Sequence, residues 1–321
     1  MKSNDELKLL AVNTLLLEAE AVKNLALLVG DDFIKCIRHI LASEGRVVIT
    51  GIGKSAIIAS KIVATLNSTG TPAVFMHAAD AIHGDLGTIQ RNDTIICISR
   101  SGNTPEIKAL IPLLKKGENK LIGMIGNKSS YLAAQSDYIL DATVEREACP
   151  LNLAPTSSTT AQLALGDALA VCLLQARDFS EKDFARFHPG GALGKRLYLK
   201  VGDLSSQNEK PQVKPDDDIR NVILEISSKR LGATAVVGSD GLLGIITDGD
   251  LRRMLEKSIH MEGFKATDIM SRNPKSIDAS ELAVSAVRLM EKHQVTQLIV
   301  TNEGQYAGFV HMHDLMREGL L

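Results

Sequence analysis

The sequence predicts an α/β protein: a doubly wound, flavodoxin-like parallel sheet of five strands, followed by a C-terminal α+β tandem. Three observations predict it. Between residues 45 and 200, short β-branched runs alternate with helical segments, and the runs are apolar at nearly every position, as strands covered on both faces must be. Beyond residue 200 a segment repeats: GIITDGDLRRM (244–254) realigns with GFVHMHDLMRE (308–318) at an offset of 64. Finally, at roughly 100–200 residues per domain, 321 residues allow two or three domains.

The elements follow in order. Residues 5–44 read as helix, with Leu7, Leu10, Leu17, Ala21, Leu25 and Leu28 forming one apolar stripe. The strands are Val47-Val48-Ile49, Ala73–Met76, Ile95–Ile98, Leu121–Ile125 and Tyr138–Leu140. SSQNEKPQVKPDDD (205–218) is polar and holds two prolines, as a linker or the loop that opens a domain would. The offset of 64 also sets Val222 on Ala286, Ile226 on Met290 and Val236 on Val300, so each copy reads as helix, β-hairpin, helix. One copy is small for a stable core, which predicts two modules packed as a pair. The divisions are 1–44, 45–200, 201–262 and 263–321.

Composition excludes several classes. With 36 Lys+Arg against 38 Asp+Glu, the net charge is −2, which disfavours nucleic acid and acidic membrane surfaces as partners. Aromatics are 3% with no Trp, so stacking platforms are not expected. Cys36, Cys97, Cys149 and Cys172 form no C-x-x-C pair and read as reduced, mostly buried thiols. MKSNDELKLL lacks the apolar core of a signal peptide, and no apolar run reaches about 18 residues. A cytoplasmic protein is expected.

In such sheets ligands bind at the carboxyl ends of the strands, beside the switch in strand order. The first strand ends in TGIGKSA (50–56). A Walker A loop fails there at Val48, and a dinucleotide fingerprint fails at Ala56 and at Met76-His77, where the acid should follow the second strand. What remains is a plain glycine turn, or a loop Gly53-Lys54-Ser55 that opens a helix onto an anion, with Lys54 as a fixed charge. The third strand ends in ISRSGNTPEIKAL (98–110). Thr104-Pro105-Glu106 is a helix start, and Ser99, Ser101 and Thr104 crowd hydroxyls around Gly102. Hydroxyls at a helix N-terminus cradle phosphate. A second hydroxyl cluster, Thr156 to Thr160, precedes a long apolar helix, and before it EREACP (145–150) reads on composition as solvated charge. His77, His83 and His188 follow the second strand and the last helix; lone histidines are more often structural, and His77 and His83 with Asp80 or Asp85 match no recognised zinc spacing.

Taken together, GIGKSA, STGTP (68–72), HGDLG (83–87), SRSGNTPE (99–106), EACPLNLAPTSSTT (147–160), GDALAV (166–171) and FHPGGALG (187–194) resemble the sugar isomerase (SIS) domain of bacterial arabinose-5-phosphate isomerases. TDGDLRR (247–253) and HMHDL (311–315) resemble the paired CBS modules of the same family. The resemblance covers nearly the whole chain and implies interconversion of D-ribulose 5-phosphate and D-arabinose 5-phosphate, for the lipopolysaccharide acid Kdo. It places catalysis on Lys54, Glu106, Glu147 and His188, and substrate contacts on Gly70, Thr71 and His83. His77 matches the metal-associated histidine, where zinc or another divalent ion would bind. Ala56 stands where the family has glycine. The resemblance further implies a homotetramer with His188 supplied across a subunit border. It also implies a nucleotide-type regulator near Thr247, Asp250 and Asp314; Thr247 keeps the T-x-x-D pattern, while its counterpart is His311.

The implied chemistry asks for these residue types. Moving a proton between C1 and C2 through an enediol needs a base, an acid for the carbonyl oxygen and a positive group for the developing oxyanion, and no redox cofactor. Glu147 or Glu106 would be the base, Lys54 the oxyanion partner, and His188 the ring-opening or relay group. Ser99, Ser101, Thr104 and the Thr156, Ser157, Ser158 and Thr159 cluster would hold the phosphate. The competing expectations are an SIS isomerase of another sugar phosphate and a non-catalytic sugar-phosphate sensor.

Overall fold

Five parallel strands, β1 (Val47–Gly51), β2 (Ala73–His77), β3 (Thr94–Ser99), β4 (Leu121–Ile125) and β5 (Tyr138–Asp141), lie in the order β2-β1-β3-β4-β5. The computed structural model describes residues 2–257 and 263–321. β1 pairs with β2 on one side and β3 on the other, so the strand order switches at β1/β3. The five predicted strands all form, because each apolar run can bury both faces. Ile49, Ile96, Ile122 and Leu140 enter one core, while Val48, Ile95, Cys97 and Leu121 enter the other. That alternation is the period of two that a strand imposes.

The helices are α1 (Asn4–Leu25), α2 (Asp31–Ala42), α3 (Lys54–Ser68), α4 (Ala78–Ala81), α5 (Pro105–Leu114), α6 (Tyr131–Gln135), α7 (Ser157–Ala176) and α8 (Glu181–Phe187). α2, α3 and α7 cover the first core, and α4, α5 and α6 the second. The single helix expected over 5–44 is two: the chain turns after Leu25 and restarts at Gly30, an extended N-cap followed by Asp31 and Asp32, acids that favour a helix start. Only the C-terminal part of the leucine stripe packs. Leu25 is buried, whereas Leu7 and Leu10 are exposed. No segment of membrane-spanning length was expected, yet α7 is long and apolar enough by length and composition; its Leu165, Leu169 and Leu173 lie in the core. All four cysteines are free thiols. Cys36 and Cys97 are buried, and burial pushes both up to about 12.

The chain divides into two compact units, Met1–Phe187 and His188–Leu321. Helix α9 (Ala192–Tyr198) belongs with the second unit because Lys195 Nζ pairs with Glu318 at 2.8 Å and the Leu199 carbonyl accepts from Ala283 N–H at 2.8 Å. That unit continues with α10 (Val201–Ser205), β6 (Gln212–Val213), α11 (Ile219–Lys229), β7 (Ala233–Gly238), β8 (Gly241–Thr247), α12 (Asp248–Lys257), α13 (Ala266–Ile269), β9 (Ser271–Arg272), β10 (Ser276–Asp278), α14 (Ala283–His293), β11 (Gln297–Asn302), β12 (Gln305–His311) and α15 (Met312–Arg317). The repeat is structural. α11, β7 and β8 recur as α14, β11 and β12 with both bounds shifted by 64, and the hairpin bulge at Val236/Val237 recurs at Val300/Thr301. The polar stretch 205–218 is part of this unit rather than a free tether: Asn208 Nδ2 donates to the Asp314 carboxylate at 2.6 Å. The expected division at 262 lies outside the described residues.

Candidate functional site

The carboxyl edge of the sheet at the β1/β3 switch is built by two loops. β1 runs through Gly51 to Gly53, the N-cap of α3, which takes a left-handed φ of 59°. Lys54 follows as the first helical residue, exposed and with no ion pair among the described residues. Ser55 Oγ donates to Gln162 Oε1 at 3.3 Å, tying this start to α7. Ala56, the departure from glycine, is buried in the first turn of α3.

β3 ends at Ser99, whose buried Oγ accepts from Gly102 N–H at 3.0 Å. Gly102 has φ 62°, and a Cβ there would lie 2.6 Å from Ser130 Cβ, so the turn needs glycine. Ser101 is exposed and accepts from Asn103 N–H at 3.3 Å. Thr104 caps α5 in place but not in bonding: its Oγ1 is buried and unpartnered. Thr50 Oγ1 on β1 and Ser157 Oγ at the start of α7 share that condition. A buried hydroxyl without a partner costs free energy, which a bound polar ligand can offset. Glu106, in the first turn of α5, is half-buried and has no hydrogen bond or ion pair among the described residues.

Glu147 contradicts the solvated reading of EREACP. Its side chain is fully buried; Oε1 accepts from Ser158 Oγ at 2.5 Å and is ion-paired with Arg100, whose Nε lies 3.0 Å away. Oε2 accepts from Thr156 N–H at 2.8 Å, Thr156 Oγ1 at 3.2 Å and Ser158 N–H at 3.1 Å. Burial alone would raise the carboxyl, but the Ser158 and Thr156 donors and the Arg100 guanidinium hold it below the usual carboxylate range. Sequence reasoning passed over Arg100; its signal was the position between the two serines of SRSG. Thr159 Oγ1 donates to the Thr156 carbonyl at 2.8 Å.

The structure therefore joins the Ser99–Glu106 loop to the Thr156–Ser158 start of α7, with Lys54 beginning the helix after the neighbouring strand. It does not bring Gly70 and Thr71 to that edge. They precede β2, at the opposite edge of the sheet, under the C-terminal end of α7: Arg177 Nη1 donates to Thr71 Oγ1. α7's 20 residues span about 30 Å at 1.5 Å per residue, so its two ends serve opposite edges. His77 ends β2, with Nδ1 3.6 Å from Asp80 Oδ2, and His83 is exposed. No third ligand joins that pair: among the described residues no group of three His, Cys, Asp or Glu could hold a metal. These side chains do not fit a metal cage within one chain. His188 opens the second unit in a tight turn, its carbonyl accepting from Gly191 N–H at 3.1 Å.

In the second unit a cavity of about 1110 Å³ lies between the two repeats. Asp250 accepts from Thr247 Oγ1 at 2.7 Å, Arg253 Nη2 at 2.7 Å and Ser271 Oγ at 3.0 Å. Asp314 accepts from His311 N–H at 2.9 Å and Arg317 Nη2 at 2.8 Å. Both aspartates are buried and engaged, so the exposed parts of this pseudo-symmetric set are the arginines, at 64% and 66%.

Family models describe both parts of the chain: an SIS domain matches residues 40–172, and a CBS domain matches 201–257 and 266–320. The chain is 49% identical over 312 residues to a Francisella tularensis protein named arabinose 5-phosphate isomerase KdsD, covering 96% of this chain and 95% of the relative. It is 46% identical over 314 residues to the Pseudomonas aeruginosa protein of the same name, covering 97% and 96%. Among solved structures, an Escherichia coli CFT073 protein in complex with arabinose 5-phosphate aligns with a TM-score of 0.56 at 39% identity, over 59% of this chain and 100% of that one.

Proposed function

Because the chain belongs to the arabinose 5-phosphate isomerase family, with an SIS domain followed by two CBS domains, we propose that it interconverts D-ribulose 5-phosphate and D-arabinose 5-phosphate through an enediol. The observation that carries this is identity approaching half over nearly the full length of isomerases of that name. Ser99, Ser101, Thr104, Ser157 and the Gly102 turn take the phosphate; the unpartnered hydroxyls of Thr104 and Ser157 support this. Lys54 stabilises the enediolate. Glu106 takes and returns the proton between C1 and C2, a role supported by its free carboxylate, and His188 assists ring opening. No redox cofactor is required. The product would feed Kdo synthesis in the cytoplasm.

Two assembly features belong to the same reading. A homotetramer would cover the apolar surface of α1, where Leu9, Leu15 and Leu16 are each more than 60% exposed, and would allow His188 to act in a neighbour's site. The cavity between the CBS repeats takes a nucleotide-type regulator whose phosphates meet Arg253 and Arg317.

Incubation with a panel of pentose and hexose phosphates, with products resolved by chromatography, tests the reaction. Conversion confined to the ribulose/arabinose 5-phosphate pair is expected. Turnover of a different pair only would move the reading to another SIS isomerase, and binding without turnover to a sensor. Mixing a Lys54→Met with a His188→Ala preparation tests the shared site: recovered activity is expected, and none would confine the site to one chain.

A further inference from the structure

We infer that Glu147 is a positioning residue, which aims Arg100 and the start of α7 at the anionic end of the substrate, and that Arg100 is a phosphate-binding residue. This rests on the isomerase reading and deepens it. A carboxylate offers about four lone-pair sites, and Glu147 fills them with four donors from Thr156 and Ser158, pairs with Arg100 and has no exposed surface. A general base must reach the proton it removes within hydrogen-bond distance. Glu147 could do so only by surrendering donors that fix the surrounding backbone.

Those donors show what the carboxylate holds. Thr156 N–H and Ser158 N–H are among the groups that a helix start leaves without an intrahelical acceptor. Glu147 takes both and so fixes the first turn of α7, where the Ser157 hydroxyl remains unpartnered. Oε1 also forms an ion pair with Arg100, whose Nε lies 3.0 Å away. Neither Nη1 nor Nη2 of Arg100 bonds to the chain among the described residues, and the side chain is 37% exposed, lining a cavity of about 250 Å³ with Ser101, Gly126 and Asn127. A guanidinium held beside a buried carboxylate, with Nη donors left unbonded, can offer two of them in one plane, the geometry that binds phosphate in two-pronged fashion. Arg100 stands between Ser99 and Ser101, two of the hydroxyls of the phosphate loop.

The test compares Arg100→Ala, Glu147→Gln and the double variant in the full chain, with inorganic phosphate as the probe. Each single change is expected to weaken phosphate as a competitive inhibitor and to raise KM by roughly 10–100-fold, the worth of one charge-assisted hydrogen bond. The double variant should be little worse than either single, since one acts through the other. The acidic limb of the kcat/KM profile should persist in Glu147→Gln. Unchanged phosphate affinity in Arg100→Ala would overturn the proposal, as would a Glu147→Gln enzyme with intact KM and a vanished acidic limb. Should Glu147→Gln fail to fold, the phosphate affinity of Arg100→Ala decides alone. Phosphate is also the probe if the wild-type chain turns over no sugar: binding lost in Arg100→Ala keeps the anion site and rejects the isomerase reading.

Discussion

Arg177 and Thr71 are joined at the edge of the sheet away from Lys54: Nη1 of the arginine donates to Thr71 Oγ1 and, at 3.3 Å, to the Gly70 carbonyl. This pins the C-terminal end of α7 to the turn before β2. Thr71→Val keeps the shape of the residue and removes the acceptor, leaving a half-buried guanidinium short of a partner. A loss of about 1–3 kcal/mol in urea unfolding is expected, with KM for the sugar phosphate unchanged. The opposite result, normal stability and a raised KM, would return Thr71 to a substrate contact.

Lys54 starts α3 from an exposed position, and no acid of the chain neutralises it among the described residues. Lys54→Met keeps much of its length without the charge. Its kcat should fall by roughly 10²–10³, the worth of one donor to a developing oxyanion, while the far-ultraviolet circular dichroism stays the same. A near-normal turnover number in a folded variant would remove Lys54 from the mechanism.

Much of this arrangement was legible in the sequence, for definite reasons. Val48, Ile96 and Ile122 lie in runs that only a doubly covered strand explains, and the offset of 64 survives because both copies solve the same packing problem. The break at Gly30 was hidden because apolar residues resume directly after it, at Phe33 and Ile34, so the segment still reads as helix. Glu147 was misread because its neighbours Glu145 and Arg146 are exposed, while its four donors come from Thr156 and Ser158 and its ion-pair partner is Arg100. Likewise, the motif STGTP carries no mark of the sheet edge it occupies; that edge follows from preceding β2, and from Arg177, about a hundred residues away in sequence.

Asp93 gives a pH signature to the sheet's other edge. Its carboxylate is buried, accepting from Arg46 N–H at 2.8 Å, Arg46 Nη2 at 2.9 Å and Gln90 N–H at 2.8 Å. Burial would raise its pKa, yet the Arg46 and Gln90 donors together hold it below the ordinary value. The folded value lies under the unfolded one of about 3.9, so its contribution is complete above that pH and disappears as pH falls through the folded value. Asp93→Ala should cost roughly 1–3 kcal/mol at pH 7, discounted for the partial exposure of Arg46. The difference from wild type should shrink below pH 4 in urea titrations. A difference independent of pH would assign the loss to packing instead.

Gly102 lets the β3–α5 turn close on Ser130. In Gly102→Ala the new methyl meets both Ser130 Cβ and a backbone held at φ 62°. The turn must open, which moves the Gly102 N–H off Ser99 Oγ and spoils the phosphate loop. The expected result is a KM raised at least tenfold with a smaller fall in kcat, because phosphate donors bind ground and transition states alike. Adding Ser130→Ala removes Oγ but leaves Cβ, so it should restore little. Full recovery in that double variant would show the hydroxyl alone to be the obstruction.

The cavity between the CBS repeats yields the remaining expectation. Asp250 and Asp314 are already engaged by donors of the same unit, and Arg253 and Arg317 each stand three residues later with most of the side chain exposed. The first repeat presents Thr247 and Gly249 where the second presents His311 and His313, whose rings lie 4.8 Å apart. The two halves of the cavity are therefore chemically unequal, and one nucleotide per chain is expected rather than two. At a concentration a hundredfold above Kd, such a ligand stabilises the folded state by about 2.7 kcal/mol. Thermal unfolding and calorimetry with AMP, ATP and CMP-Kdo read this directly. Binding of at least one, at one site per chain, weakened by salt and lost in the Arg253→Ala/Arg317→Ala variant, is the expected outcome. If none of the three shifts the transition, the tandem is a structural module and its arginines serve only to cap Asp250 and Asp314.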